Sequence, residues 1–256
     1  MVKKIVGTGV LLVLALALQA GVKMYTLKSP DGKVKLEVTA GQGIAYSLFY
    51  DGRLLLKPSR IALHTDLPEA DHWENIRITG TKQRHVSETV QAPFYRVKEF
   101  GIDCNELELR LNNGFSLLMR AYNDGMAYRF VAGRKGEMTV VEERAEFNFA
   151  DDFEAYIPYS TNPKDPWNMA FQNFYTKAPL TQYNTELPAF LPLTVDAGAV
   201  KLTLLESDLE AYPGMFVCGD GKTPALKGVF AAYPQETFKN KWRCQETVKT
   251  RRPYIA

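Results

Sequence analysis

Residues 105–133, "NELELRLNNGFSLLMRAYNDGMAYRFVAG", repeat one pattern three times. Leu107, Leu109 and Leu111 occupy every second position; so do Phe115, Leu117, Met119 and Ala121, and then Met126, Tyr128 and Phe130. Successive side chains of an extended chain point to opposite faces, so each set marks the buried face of one strand. Asn113-Gly114 and Asn123-Asp124-Gly125 separate the sets, and these residue types tolerate the positive φ that tight hairpins demand. The stretch therefore predicts a three-stranded antiparallel meander.

The same reading extends along the chain. "KVKLEV" (33–38) alternates Val34, Leu36 and Val38. In "IAYSLFYDGRLLLK" (44–57), Tyr46, Leu48 and Tyr50 lead into Asp51-Gly52, and Leu54 and Leu56 return. Asp-Gly predicts a type I′ turn there. "FLPLTVDAGAVKLTLLE" (190–206) places Leu191, Leu193 and Val195 before Asp196-Ala197-Gly198, then Val200, Leu202 and Leu204. Beyond the N-terminal run, no stretch of helical length holds a 3.6-residue period. Many short strands with frequent turns predict an all-β fold. With no Gly/Ser/Pro-rich linker, one large sandwich of two antiparallel sheets is expected rather than two small domains. The segment from Tyr156 to Pro192 breaks the pattern. It is rich in Pro, Asn and aromatics and reads as a long irregular loop, which is often a binding surface.

The chain opens with "MVKK" and the apolar run "IVGTGVLLVLALALQA" (5–20). These are the proportions of a secretory signal, with cleavage expected after Ala20 despite the bulky Leu18. Residues 1–20 are thus read as a signal peptide and 21–256 as the exported domain. The run is short for a membrane span, and no cysteine follows it to carry a lipid. With 46% hydrophobic and 23% charged residues over 256 positions, a packed core is expected. A net charge of +2, scattered in sign, gives no nucleic-acid footprint, and the basic run Lys249–Arg252 reads as a solvated end. Cys104, Cys218 and Cys244 are odd in number, so at least one thiol stays unpaired. No pattern among them suggests zinc.

Catalytic signatures are sparse. His64, His72 and His85 are the only histidines, and no Gly-x-Ser-x-Gly elbow, phosphate loop or paired-His helix accompanies them. Glu206, Asp208 and Glu210 cluster at a strand end. The glycine and terminal glutamate of an EF-hand loop are missing, and spacing alone favours a solvated turn, although calcium prefers such oxygens. In the irregular segment, Trp167 and Tyr159 are the candidates for stacking on sugar rings.

Three segments together carry a family resemblance: "LKSPDGKVKLEV" (27–38), "AYNDGMAYRF" (121–130), and "LPLTV" (191–195) with "KLTLLESDLEAYPGMF" (201–216). In this order they resemble the N-terminal domain of glycoside hydrolase family 97, periplasmic α-glucosidases and α-galactosidases of polysaccharide-using bacteria. The resemblance runs from about Met24 to the last residue, and "LLESDLEAYPGM" is its most specific part. It implies a β-super-sandwich similar to galactose mutarotase, packed on a catalytic (β/α)₈ barrel. It further implies a shared calcium ion, with Glu206 in the position of the one ligand this domain supplies. Asp208 and Glu210 have no such counterpart. An α-linked oligosaccharide is the implied substrate, and no membrane or nucleic-acid partner is implied after export. A barrel needs about 250 residues of its own, and the sandwich uses the whole exported chain. The chain is therefore expected to lack the two carboxylates of glycoside hydrolysis and to be inactive alone, as a fragment, a truncated product or a free-standing sandwich. The competing readings are a non-catalytic carbohydrate-binding sandwich and an aldose 1-epimerase, which would need a histidine acid and a carboxylate base.

Overall fold

The computed structural model describes residues 22–256 apart from 134, 135, 137, 165, 168–172, 210, 211, 232, 240–245, 253 and 256, and gives only the backbone of the strands beyond residue 232. In chain order the strands are β1 (Lys23–Lys28), β2 (Val34–Gly41), β3 (Gly43–Tyr50), β4 (Arg53–Thr65), β5 (Ile78–Gln91) and β6 (Glu99–Leu111). Next come β7 (Phe115–Tyr122), β8 (Gly125–Ala132), β9 (Thr139–Asn148), β10 (Glu154–Ile157) and β11 (Thr176–Pro179). A 3-10 turn at Leu180–Gln182 precedes β12 (Leu193–Asp196), β13 (Lys201–Leu204), β14 (Met215–Gly219) and β15 (Ala225–Phe230). The last are β16 (Tyr233–Lys239), β17 (Glu246–Arg252) and β18 (Tyr254–Ile255).

The protein is an all-β sandwich, and every strand pairing among the described residues is antiparallel. One sheet runs β1-β2-β3-β4-β9-β15-β14, with β18 also on β9; another runs β5-β6-β7-β8. Their apolar faces meet. Leu36 and Val38 of β2 and Leu117 and Met119 of β7 are fully buried in one continuous core. Burying a Leu or Met side chain stabilises by about 1.5–3 kcal/mol, so these alternating stripes are what hold the layers together. A smaller sheet, β11-β10-β12-β13, adds Ala155, Ile157, Leu193 and Val195 to the same core. Trp73 plugs one end, its ring against Phe115 and Phe130 and its indole N–H donating to Leu63 O at 2.9 Å.

The turn chemistry follows the sequence in most places. Asp51 and Gly52 have φ of 48° and 79°, the double positive φ of a type I′ turn. Between β6 and β7 the loop is three residues, and only Gly114 takes positive φ, at 85°. The "NDG" corner differs from expectation. Gly125 already pairs with Tyr122 as the first residue of β8, so the turn is Asn123-Asp124 at ordinary φ. Asn123 also reaches outside its own hairpin, where its Oδ1 accepts the Asp31 N–H at 3.0 Å. The "SPDG" and "NDG" turns, remote in sequence, are thereby tied together.

Three further expectations are corrected. Strict alternation of Leu54 and Leu56 fails, because register shifts between β3 and β4 bury Leu55 and Leu56 side by side. A bulge places an extra residue in one strand and so breaks the period of two. The irregular segment from Tyr156 also contains structure: Tyr156 lies in β10, and β11 pairs with it. Leu191, read with the strand, precedes β12 and is only partly buried.

Candidate functional site

β13 carries Leu202 into the core and then leaves the sheet, exposing Leu205 at 66%. The next residue is Glu206, half-buried. Its Oε1 accepts the Met215 N–H at 2.8 Å, from the first residue of β14. No described donor reaches Oε2, and Gly214 leaves space beside it; a methyl group there would stand 3.8 Å away. Burial pushes the Glu206 carboxyl above the usual carboxylate range, with the Met215 N–H pulling in the other direction. One oxygen is therefore fixed and the other offered.

A second carboxylate lies close enough to sense the first. Glu143, on β9, accepts the Tyr212 hydroxyl at 2.7 Å on Oε2 and the Tyr128 hydroxyl at 3.5 Å on Oε1. Burial raises its carboxyl, and the charge of Glu206 raises it further. Tyr128 sits against Tyr46, and Tyr212 against Phe230, so the phenols that hold Glu143 are themselves wedged in place. Glu143 gives no signal in the sequence, where it is one of three glutamates in "VVEERAEF" (140–147). Only the approach of Tyr212 and Tyr128 from other elements distinguishes it.

The other acids behave differently. Asp208 has φ of 61° and an exposed ion pair, Arg129 Nη1 to Oδ2 at 3.0 Å, which pins the loop to β8. Such surface pairs contribute about 0–1 kcal/mol. Glu210 lies outside the described residues.

The two aromatic candidates are packed on protein. Trp167 meets Phe216 edge to face, ring centres 4.9 Å apart. Tyr159 meets Tyr183 at 5.0 Å, and its hydroxyl accepts the Asn184 N–H at 2.8 Å. Tyr183 in turn donates to Val217 O at 2.7 Å. All three candidates border β14: Glu206 through Met215, Trp167 through Phe216, and Tyr159 through its bridge to Ala189, which bridges Val217.

The histidines are scattered rather than convergent. His64 Nδ1 pairs with Asp71 Oδ1 at 2.7 Å near the end of β4, and His85 Nε2 with Asp103 Oδ1 at 3.1 Å on the opposite sheet. His72 is exposed. Cys104 is buried and free, Cys218 is free, and Cys244 lies outside the described residues.

Calcium takes six to eight oxygen ligands at roughly 2.3–2.6 Å. Among the described residues no group of three or more His, Cys, Asp or Glu could hold a metal ion. Glu206 thus fits as a single oxygen ligand, not as part of a complete cage within the described residues.

Comparison with known proteins places the domain and its fold. The family model described as "Glycosyl-hydrolase 97 N-terminal" matches residues 27–251. A retaining alpha-galactosidase of Bacteroides thetaiotaomicron is 39% identical over 249 residues, covering 94% of this chain and 37% of that protein. A probable retaining alpha-galactosidase of Streptomyces bingchenggensis is 26% identical over 158 residues, 60% of this chain and 24% of that protein. The chain thus spans little more than a third of the longer of these matches. Among solved structures, a glycoside hydrolase family 97 enzyme of Pseudoalteromonas sp. strain K8, in complex with acarbose, shares the fold at TM-score 0.66 and 17% identity over 90% of this chain and 34% of that one. A beta-arabinopyranosidase does so at TM-score 0.70 and 19% identity, covering 91% of this chain and 38% of its own.

Proposed function

Because the chain belongs to the glycoside hydrolase family 97 N-terminal domain family, we propose that it is the calcium-contributing domain of an exo-acting α-glycoside hydrolase, with Glu206 donating one ligand to an active site completed by a catalytic barrel. The single observation that carries this reading is the Glu206 carboxylate. Oε1 is held by a backbone N–H, and Oε2 meets no described donor at the point where β13 leaves the core. A bound calcium ion would supply a fixed positive charge and orient substrate oxygens.

This chain's residues perform the positioning. The Met215 N–H sets the rotation of the Glu206 carboxylate. The Tyr212–Glu143 hydrogen bond anchors the turn that presents Met215. Leu205 and Leu209, 66% and 47% exposed, flank Glu206 with apolar surface that a barrel can cover. The acid and the nucleophile or base of hydrolysis belong to that barrel. The substrate is an α-linked oligosaccharide, with Trp167 and Tyr159 bordering the same strand. The basic and apolar N-terminal run, outside the described residues, supports export to the periplasm.

The isolated chain, incubated with aryl α-glucoside and α-galactoside, is expected to give no turnover above buffer. Calorimetric titration of maltose or melibiose is expected to show weak or no binding, because the site is shared. Clear turnover by residues 1–256 alone would overturn the assignment.

A further inference from the structure

We propose that the outer edge of β5 is a self-association surface, through which two copies of this chain pair antiparallel about a two-fold axis at Val86. This edge is separate from Glu206 and does not depend on calcium.

β5 is a 14-residue edge strand: it pairs with β6 on one side and with no described strand on the other. β6 follows it from Leu111 opposite Ile78 to Glu99 opposite Gln91. β7 accompanies β6 only between Cys104 and Arg110, and Cys104 stands opposite Val86. From residue 87 to 103 the hairpin is therefore a two-stranded ribbon overhanging the end of the sandwich. A two-stranded hairpin is marginal in water without a third strand or a packed face. This one nevertheless carries Val90, Phe94, Tyr95, Val97 and Phe100, each at least 40% exposed. Val86 and Cys104, buried on the face of the sheet opposite Leu107 and Leu109, start an apolar stripe that continues outward along it through Ile102 and the Val90–Phe100 pair.

Long edge strands ordinarily repel other edges with charge. On β5 the charges are ordered so that a reversed copy satisfies them. With the axis at Val86, Arg84 stands opposite Glu88 of the second copy and Glu88 opposite its Arg84. Gln83 faces Thr89, and His85 faces Ser87, each twice by symmetry. Opposite-charge cross-strand pairs favour pairing, and like charges oppose it. Arg84 already holds Glu106 through Nε at 2.6 Å, and its guanidinium retains further donors. Glu88 is exposed. Centring the axis on His85 instead would set two imidazoles against each other and leave Arg84 opposite Val86.

The Val86 register also answers the overhang. Residues 81–85 of each copy lie alongside residues 87–91 of the other, so each ribbon gains its third strand and the two four-stranded sheets become one of eight. The contact is isologous and closes, as a two-fold dimer requires.

Sedimentation velocity of the full chain, from micromolar upward, tests the proposal. The wild type is expected to dimerise with rising concentration. Glu88→Arg, which sets Arg opposite Arg84 twice, and Arg84→Glu, which sets Glu opposite Glu88 twice, are each expected to weaken self-association about tenfold or more. An equimolar mixture of the two variants restores Arg–Glu pairs at both positions and is expected to dimerise like the wild type. Circular dichroism confirms that each variant is folded. A wild type that stays monomeric at the highest concentration would overturn the proposal and leave this edge to another polypeptide. A wild-type dimer with no recovery in the mixture would place the interface elsewhere and overturn it equally.

Discussion

Replacing Glu206 with glutamine removes a charge while keeping the side chain's shape and its acceptor for the Met215 N–H. In the folded chain burial raises the Glu206 carboxyl, and the neighbouring Glu143 is raised by burial and by the Glu206 charge. A carboxyl raised in the folded state binds more protons folded than unfolded. Its destabilising effect is absent below the unfolded value, near 4.3, and complete above the folded value, so stability falls as pH rises through that window. At pH 7 Glu206→Gln is therefore expected to match the wild type or exceed it by up to about 1 kcal/mol. Glu206→Ala leaves the partly buried Met215 N–H without its acceptor, which costs about 1–2 kcal/mol. For a domain of this size 1 kcal/mol moves Tm by roughly 2–4 °C. Thermal and urea unfolding at pH 7 and pH 4 provide the assay. The gain of the glutamine variant over the wild type should shrink at pH 4, and the alanine deficit should persist. A glutamine variant that loses as much as alanine at pH 7, or a gain unchanged between the two pH values, would refute the reasoning. The first result would mean that the carboxylate holds the fold together instead of being held by it.

Leu117→Ala, at a fully buried position facing β2, should lose about 2–5 kcal/mol in urea unfolding; a loss under 1 kcal/mol would show that the two sheets do not share the described core. Gly52→Ala forces a side chain into φ of 79° and should cost about 1–2 kcal/mol, with no effect on the local backbone of β7 and β8 in hydrogen exchange.

The sequence revealed those elements in which burial alternates. β2 and β7 bury every second residue, so Val34, Leu36, Val38 and the Phe115–Ala121 set stand out by eye. β5 was invisible for the opposite reason: thirteen of its positions are exposed or only partly buried, and "TGTKQRHVSETVQ" has no apolar stripe. β9 was obscured because its glutamates interrupt the pattern around Val140, Ala145 and Phe147, although it is central and pairs with β4, β15 and β18. Leu55 was hidden by a bulge, which no local pattern announces. At the candidate site, spacing gave three equivalent acids. The family resemblance singled out Glu206, and the folded chain places it half-buried while Asp208 sits in a surface ion pair. Glu143 could not be read at all, because its significance lies in phenols contributed by β8 and by the turn before β14.

The most direct measurement joins this chain to the rest of a working enzyme. Residues 21–256 would replace the matching part of the Bacteroides thetaiotaomicron alpha-galactosidase, to which the chain is 39% identical over 249 residues. The calcium concentration for half-maximal α-galactoside hydrolysis, and direct calcium binding by calorimetry, would then be compared with and without Glu206→Gln. The account predicts a folded, calcium-responsive chimera whose calcium affinity falls by about tenfold or more when Glu206 is changed, in line with the loss of one charged ligand among several. A chimera that binds calcium equally well with and without Glu206→Gln would contradict it.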